Sequence, residues 1–432
     1  MTDIYEIAEY TLEALKKSGA DAAQCIVSKS KKDELNVDGG KFSLMRSTFN
    51  TNISMKAIKD GKKGVTSINQ ATKEAIDEAA DQCISAAQSS VPDEAEQIAP
   101  FTAKAEYKTG VFEPELDKLF DRIEEFMSQT AAEYPKIILE QLISDYEHSE
   151  KLYMNTNGTS LKYEHGEYSF NTMFSAHEGE KASSFNGYFC ALDSLDKPFM
   201  DAGMQRQLLS ESEKQLDTVS PSEKFVGRVI YSPDCFNELL QTALENFASS
   251  GVLIDGTSPW KDALNTKVAS EKLNLRSVPL DGRTVVGQRF TSDGYPVEDM
   301  DIIIDGVLKT FILSQYGANK TGFPRSLNSG NNLEVLPGDK ALEEMISGID
   351  RGLIVNRFSG GQPSSNGDFS GVAKNSFLIE NGKVVSAVSE TMISGNIIDM
   401  LNNIVAVSKE QTTDGLSFMP WAEFDGVTVS GK

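Results

Sequence analysis

A hydrolytic zinc site needs three imidazole, thiolate or carboxylate ligands and one open position for water. The chain holds three histidines, His148, His165 and His177. The one local cluster imaginable around a metal is His177-Glu178-Gly179-Glu180. That run lies in a turn-and-strand pattern, so it lacks the helical geometry of an H-E-x-x-H pair. It reads as a solvated polar turn, with an unusual metal-ligand set as the competing reading. His148 stands among Asp145, Glu147 and Glu150 and reads as a charged surface residue, and His165, beside Gly166, as a turn residue. The cysteines, Cys25, Cys83, Cys190 and Cys235, are widely separated and form no C-x-x-C pair. In a chain of this size they read as buried, reduced thiols of a cytosolic protein. A nucleophile elbow, a phosphate loop and a dinucleotide fingerprint are all missing from the sequence. With 64 acidic residues, a pair of carboxylates carries no information by itself.

Binding is a better prospect than catalysis. Gly, Ser, Asn and Pro crowd the run from Ser359 to Gly371. That composition marks a structured loop, because Gly tolerates positive φ while Asn and Ser close turns locally. Its candidate peptide- or partner-binding residues are Gly360, Gly361, Ser364, Ser365, Asn366 and Asp368. The glycines admit a close backbone, and the polar side chains are able to bond it. A loop that satisfies itself, or packs at a subunit interface, is the equal alternative. Next come the apolar runs Ser376–Glu380 and Lys383–Val388 around Asn381-Gly382, the strongest short-range hairpin signal. Ser394-Gly395-Asn396 reads as a small-residue turn into a short helix carrying Ile397, Ile398, Met400, Leu401 and Ile404.

This ordered series resembles the C-terminal signature of the TldD/PmbA family, known as peptidase-complex subunits or modulators of DNA gyrase. The resemblance rests on Gly367-Asp368-Phe369-Ser370-Gly371, on the hairpin Ile379-Glu380-Asn381-Gly382-Lys383, on Ser394-Gly395-Asn396 and on the M-L-x-x-I helix. In the metallopeptidase branch, a helix early in the third region carries HExxxH, and a later cysteine completes a zinc site. The matching helix here is 233–247, and Gln241-Thr242-Ala243-Leu244-Glu245-Asn246 stands where the motif falls. It contains no histidine, and no cysteine follows Cys235. Gln and Asn amides are poor zinc ligands. The resemblance therefore implies the PmbA (TldE) branch, with no catalytic residue and no metal ligand in this chain. It implies zinc in a TldD-like, HExxxH-bearing partner, unfolded peptide as substrate, and a homodimer as one state of the isolated chain. A metallopeptidase with unusual ligands and a homodimeric peptide-binding protein are the competing functions.

The remaining composition narrows the partners. Of 432 residues, 39% are hydrophobic and 24% charged, ordinary for a globular protein. A net charge of −23 repels phosphate backbones, which argues against general nucleic-acid binding. The first ten residues carry Asp3, Glu6 and Glu9 and lack the apolar core of a signal peptide. No apolar run approaches the roughly 18 residues that span a bilayer. The expectation is a cytoplasmic chain without a membrane partner.

The fold class expected is α+β, in three parts: an N-terminal unit over 1–90, a middle unit over 110–220, and a β-rich C-terminal domain over 221–432. Helical spacing covers 3–18, 72–88, 114–133, 203–216, 233–247 and 343–349. Pro114 is placed at the first position of its helix, and Ser232-Pro233-Asp234 supplies cap, first-position proline and first-turn acid. Short strands are expected at 24–28, 33–37, 41–45, 52–58, 64–68, 136–144, 151–155, 160–163, 168–176 and 183–191. Further strands are expected at 227–231, 284–286, 301–304, 307–313, 352–355 and 421–429, with 89–109 as a linker. Asp38-Gly39-Gly40, Asp60-Gly61 and Asp305-Gly306 mark hairpins.

Overall fold

The computed structural model describes residues 2–431 apart from Ser222, Gln362 and Glu390. The chain begins with helix α1 (Ile4–Lys17), capped by the Asp3 carboxylate on the Glu6 N–H. Strands β1 (Ala22–Asp38), β2 (Lys41–Lys59) and β3 (Lys62–Ile68) follow, then α2 (Lys73–Ser89), β4 (Lys104–Gly110) and α3 (Leu116–Glu133). After these come β5 (Ile137–Asn155), β6 (Ser160–Glu178), β7 (Lys181–Ala182), β8 (Asn186–Leu192) and α4 (Gln205–Lys214).

The first sheet runs β3-β2-β1-β5-β6-β4, with β7 and β8 also on β6. Only β4 lies parallel to its neighbour. β1 pairs with β5 along its length, Gln24 opposite Asn155 through Asp38 opposite Gln141. Strands from residues 1–90 and 110–220 therefore share one continuous ladder. One face buries Ala23, Cys25 and Val27 with Ile7, Leu15, Ala80 and Cys83 of α1 and α2. Further along, Leu35 and Val37 join Leu119, Ile123 and Phe126 of α3. Each Val, Leu, Ile or Phe among them contributes about 2 kcal/mol on burial.

The rest of the chain forms a second, mixed sheet. Its elements are β9 (Thr218–Val219), β10 (Phe225–Tyr231), α5 (Pro233–Ala248), α6 (Ser250–Ile254), β11 (Leu275–Ser277), β12 (Met300–Ile304), β13 (Val307–Leu308) and α7 (Gln315–Thr321). There follow β14 (Leu333–Val335), α8 (Leu342–Ser347), β15 (Arg351–Val355), β16 (Arg357–Gly360), β17 (Asp368–Lys374) and β18 (Ser376–Glu380). The last elements are β19 (Lys383–Val388), β20 (Met392–Asn396), α9 (Ile397–Asn402), β21 (Ile404–Thr413) and β22 (Phe418–Ser430). β22 is the hub, bonded to β10, β14, β20 and β21. The β18–β19 turn has Asn381 at φ 50° and Gly382 at φ 73°, as a type I′ hairpin requires.

The α+β architecture is present, and several local expectations are corrected. The short strands expected at 24–28 and 33–37, and at 136–144 and 151–155, are each one long strand. His165-Gly166 lies inside β6, paired with Ser149 and His148, so it is no turn. Thr284–Val286 forms no strand, and the strand from Val307 stops at Leu308. The linker 89–109 contributes β4 to the first sheet. Ser394–Asn396 ends strand β20 instead of making a turn. Pro114 precedes the α3 cap, Glu115.

The two sheets meet through specific bonds. Tyr316 Oη donates to the Asp93 carboxylate (3.1 Å), Lys320 pairs with it (2.9 Å), and Thr102 Oγ1 donates to the Gly294 carbonyl (2.7 Å). These partners hold the Asp93 carboxyl below the usual range, Lys320 first.

Candidate functional site

Helix α5 positions the site. Ser232 accepts from the Cys235 N–H and donates to the Asn356 carbonyl (3.1 Å), and Pro233 presets the first turn. Phe236, Leu240, Ala243, Leu244 and Phe247 are buried, with Phe236 edge-on to Phe424 and Phe247 against Trp260. The opposite stripe, Asp234, Glu238, Gln241 and Glu245, is exposed and lines two adjoining clefts.

The first cleft, of about 450 Å³, lies between α5 and the β16–β17 hairpin. Its walls include Glu238, Gln241, Thr242 and Glu245 on the helix, and Phe358, Gly360 and Gly361 on the hairpin side. Among the described residues, β16 pairs only with β17, and Phe358, Ser359 and Gly360 of this strand line the cleft. Glycines are required here, because a Cβ on Gly360 or Gly371 would meet the Phe358 ring at 2.7 or 2.4 Å. The second cleft, of about 570 Å³, adds Asp234, Asn356, Arg357 and Asp414 to the shared Cys235 and Glu238. Its far wall comes from the first sheet, with Gln141, Asn171, Met173, Phe185 and Phe189.

Of the six loop residues singled out in the sequence, Gly360 and Gly361 line the first cleft. Ser364, Asn366 and Asp368 turn onto one another. Ser364 bonds Asn366, its N–H donates to the Asp368 carbonyl (2.9 Å), and the Asn366 amide donates to the Asp368 carboxylate (3.0 Å). Asn396 closes the loop from β20, donating to the Asn366 carbonyl and to Asp368, both at 2.9 Å. Those amide bonds hold the Asp368 carboxyl low, the Asn396 bond foremost. Ser365 is exposed at the tip, and Gln362 lies outside the described residues.

The cleft's titratable groups are crowded. Asp234 reaches solvent from a concave wall, and the loss of surrounding water pushes its pKa up to about 6, with Asp414 and Glu238 adding to the shift. Glu238 is raised by burial, against the pull of Arg357. Cys235 is fully enclosed, and burial drives its thiol far up, so no thiolate is on offer as nucleophile or ligand. The other three cysteines are buried and free as well.

The donor set does not fit a zinc ion. Gln241 and Thr242 are neutral, and the histidines stand on the first sheet. Among the described residues, no three His, Cys, Asp or Glu side chains converge tightly enough to hold a metal. His177 bonds Ser175 Oγ (2.9 Å), and Glu178 pairs with Lys136 (2.9 Å).

A second carboxylate group lies on the face of the first sheet opposite the helices, with Asp145 and His165 buried. Lys32 reaches Glu147 (3.1 Å) and Asp145 (3.4 Å), and Ser169 donates to Asp145 (2.9 Å). His165 and Glu167 face each other at 3.2 Å without hydrogen-bond alignment. Burial pushes Glu167 up to about 7, helped by Glu147 and Asp145, and depresses His165.

Sequence reasoning missed Asp234, Glu238, Asn356, Arg357 and Asp414. One signal was available: α5 carries Asp234, Glu238 and Glu245 and not one Lys or Arg.

Comparison with known proteins fits this architecture. The C-terminal domain of the PmbA/TldA metallopeptidases matches residues 224–431, and their domain 1 matches residues 23–87. The chain belongs to the PmbA/TldD family. It is 28% identical over 228 residues to the metalloprotease PmbA of Escherichia coli, covering 52% of this chain and 49% of that one. It is 28% identical over 195 residues to a zinc metalloprotease TldD homolog of Saccharolobus solfataricus, covering 42% and 44%. The matched stretches thus span about half the length of these relatives. The fold superposes on TldE of Thermococcus kodakarensis at TM-score 0.82, with 22% identity over 98% of this chain and all of that one. A Bacteroides thetaiotaomicron protein, named for a suggested role in modulating DNA gyrase, superposes at 0.83 with 24% identity over both full chains.

Proposed function

We propose that this chain is the zinc-less, PmbA/TldE-like subunit of a cytosolic peptidase complex, working beside a zinc-bearing, HExxxH-containing TldD-like chain on unfolded peptides. The observation that carries this reading is the α5 cleft. In a chain of a metallopeptidase family, its walls carry Cys235, Glu238, Gln241, Thr242 and Glu245, and among the described residues no set of donors converges to hold a metal. The cleft keeps the features of a peptide site. An extended chain is able to add to the side of β16 away from β17, where Ser359 and Gly360 line the cleft, and strand addition of this kind needs no sequence code. A role limited to binding also suits Cys235, whose buried thiol is chemically quiet. No described helix is long and apolar enough to cross a membrane.

The test is to purify this chain and a TldD-like relative separately and together, then follow cleavage of an unfolded peptide. The expected result is no cleavage by this chain alone, and cleavage by the mixture that a chelator abolishes. Metal-dependent cleavage by this chain alone overturns the reading.

A further inference from the structure

The second cleft is more specific than a groove for any extended peptide. Three carboxylates, Asp234, Glu238 and Asp414, stand on its walls against a single cation, Arg357. Arg357 is itself held on the Phe185 carbonyl (2.9 Å). The adjoining first cleft adds Glu245 and, among the described residues, no cation. This negative excess meets unusually exposed apolar groups, for Phe185, Phe189 and Met173 are 54%, 41% and 41% exposed on the opposite wall.

A separate observation points the same way. Asn356 lines the cleft and is nine-tenths buried, and its Nδ2 donates to Glu211 at 2.6 Å. Its Oδ1 accepts no hydrogen bond. A buried acceptor without a donor is costly, so the site is short of hydrogen-bond donors as well as positive charge. Among the described residues the Asp234 and Glu238 carboxylates accept no hydrogen bond either, whereas Asp414 Oδ1 accepts from the Leu416 (2.8 Å) and Ser417 (2.7 Å) N–H groups.

The geometry points to a subsite for the side chain of a lysine or arginine in the bound peptide, its methylene stem on Phe185, Phe189 and Met173 and its charged head among Asp234, Glu238 and Asp414. Lysine and arginine carry donors only, which complements the unpaired carboxylates of Asp234 and Glu238. Their stems cover apolar surface while the head stays polar, and aromatic faces add cation–π attraction. The upward shift of Asp234, set first by loss of surrounding water and then by the neighbouring Asp414 and Glu238, agrees with this. The inference rests on the peptide-binding reading above and names the class of peptide.

Fluorescence anisotropy on the full chain tests it. The probe is a short, blocked Ala/Ser peptide carrying one arginine, with twins carrying citrulline or glutamate in its place. The arginine peptide is expected to bind about tenfold more tightly than the citrulline twin. The preference should shrink as salt rises from about 0.05 to 0.5 M. Glu238→Gln and Asp234→Asn should erase most of it, and Arg357→Gln should enlarge it, an opposite shift that misfolding does not produce. Equal binding of all three peptides overturns the inference and leaves the peptide reading standing. Binding of none overturns both. An arginine preference unchanged in Glu238→Gln and Asp234→Asn removes it from this cleft.

Discussion

The Lys32 cluster and the α5 clefts both crowd carboxylates together, but they settle the charge differently. On the first sheet, Lys32 sits between Asp145 and Glu147, and a serine hydroxyl completes Asp145. In the clefts, four carboxylates face Arg357 as the one cation among the described residues. Buried ions are tolerated when their partners come from the same chain. Where the chain leaves exposed ions unpaired in a concavity, the missing partner is to be sought outside it. The first group therefore serves the fold, and the second is the one proposed to bind a partner.

The contrast predicts opposite responses to mutation. Lys32→Met strips the cation from Asp145 and Glu147, and should lower stability by about 2–3 kcal/mol, read from denaturant midpoints. A loss below about 0.5 kcal/mol would erase the distinction. Glu167 gives the next effect. Its folded pKa, about 7, lies above the unfolded value, so its contribution is present at low pH and lost as pH rises through 7. Stability should fall between pH 5 and 8, and Glu167→Gln should flatten that slope and gain about 1–2 kcal/mol at pH 8. An unchanged slope in the mutant would reassign the titration.

The cleft responses are smaller. Asn396→Ala removes the clamp on the hairpin loop and the cap on Ile398 N–H, at a cost of about 1 kcal/mol in thermal unfolding. Glu238→Gln should alter stability by less than about 0.5 kcal/mol in either direction. A large destabilisation by Glu238→Gln would show that the cleft acids are structural too. Because Asp234 titrates near 6, arginine-peptide binding should strengthen from pH 5 to pH 7, and that gain should vanish in Asp234→Asn.

Much of this was legible in the residues. Ser232-Pro233-Asp234 announced α5, and Asn381-Gly382 announced the hairpin, because caps and positive-φ turns are local. The long strands were not, since Ser28–Lys32 and Asp145–Lys151 interrupt apolar alternation with polar residues. Those interruptions are where the Lys32 cluster lies, so cross-strand pairing overrode the local pattern, and His165 went from turn to buried strand. The hairpin glycines were visible as cleft residues, whereas the acid–aromatic pocket was not. Its walls come from Phe185, Asp234, Arg357 and Asp414, far apart in sequence, and only the fold assembles them.

The position of β22 has a kinetic consequence. β10 and β14 both bond to this strand, which arrives much later in sequence. During synthesis, the first sheet has all its strands by Leu192, while β10 must wait for Phe418–Ser430. Contacts of such separation form slowly, so a nascent C-terminal half would linger with an open edge and invite chaperones.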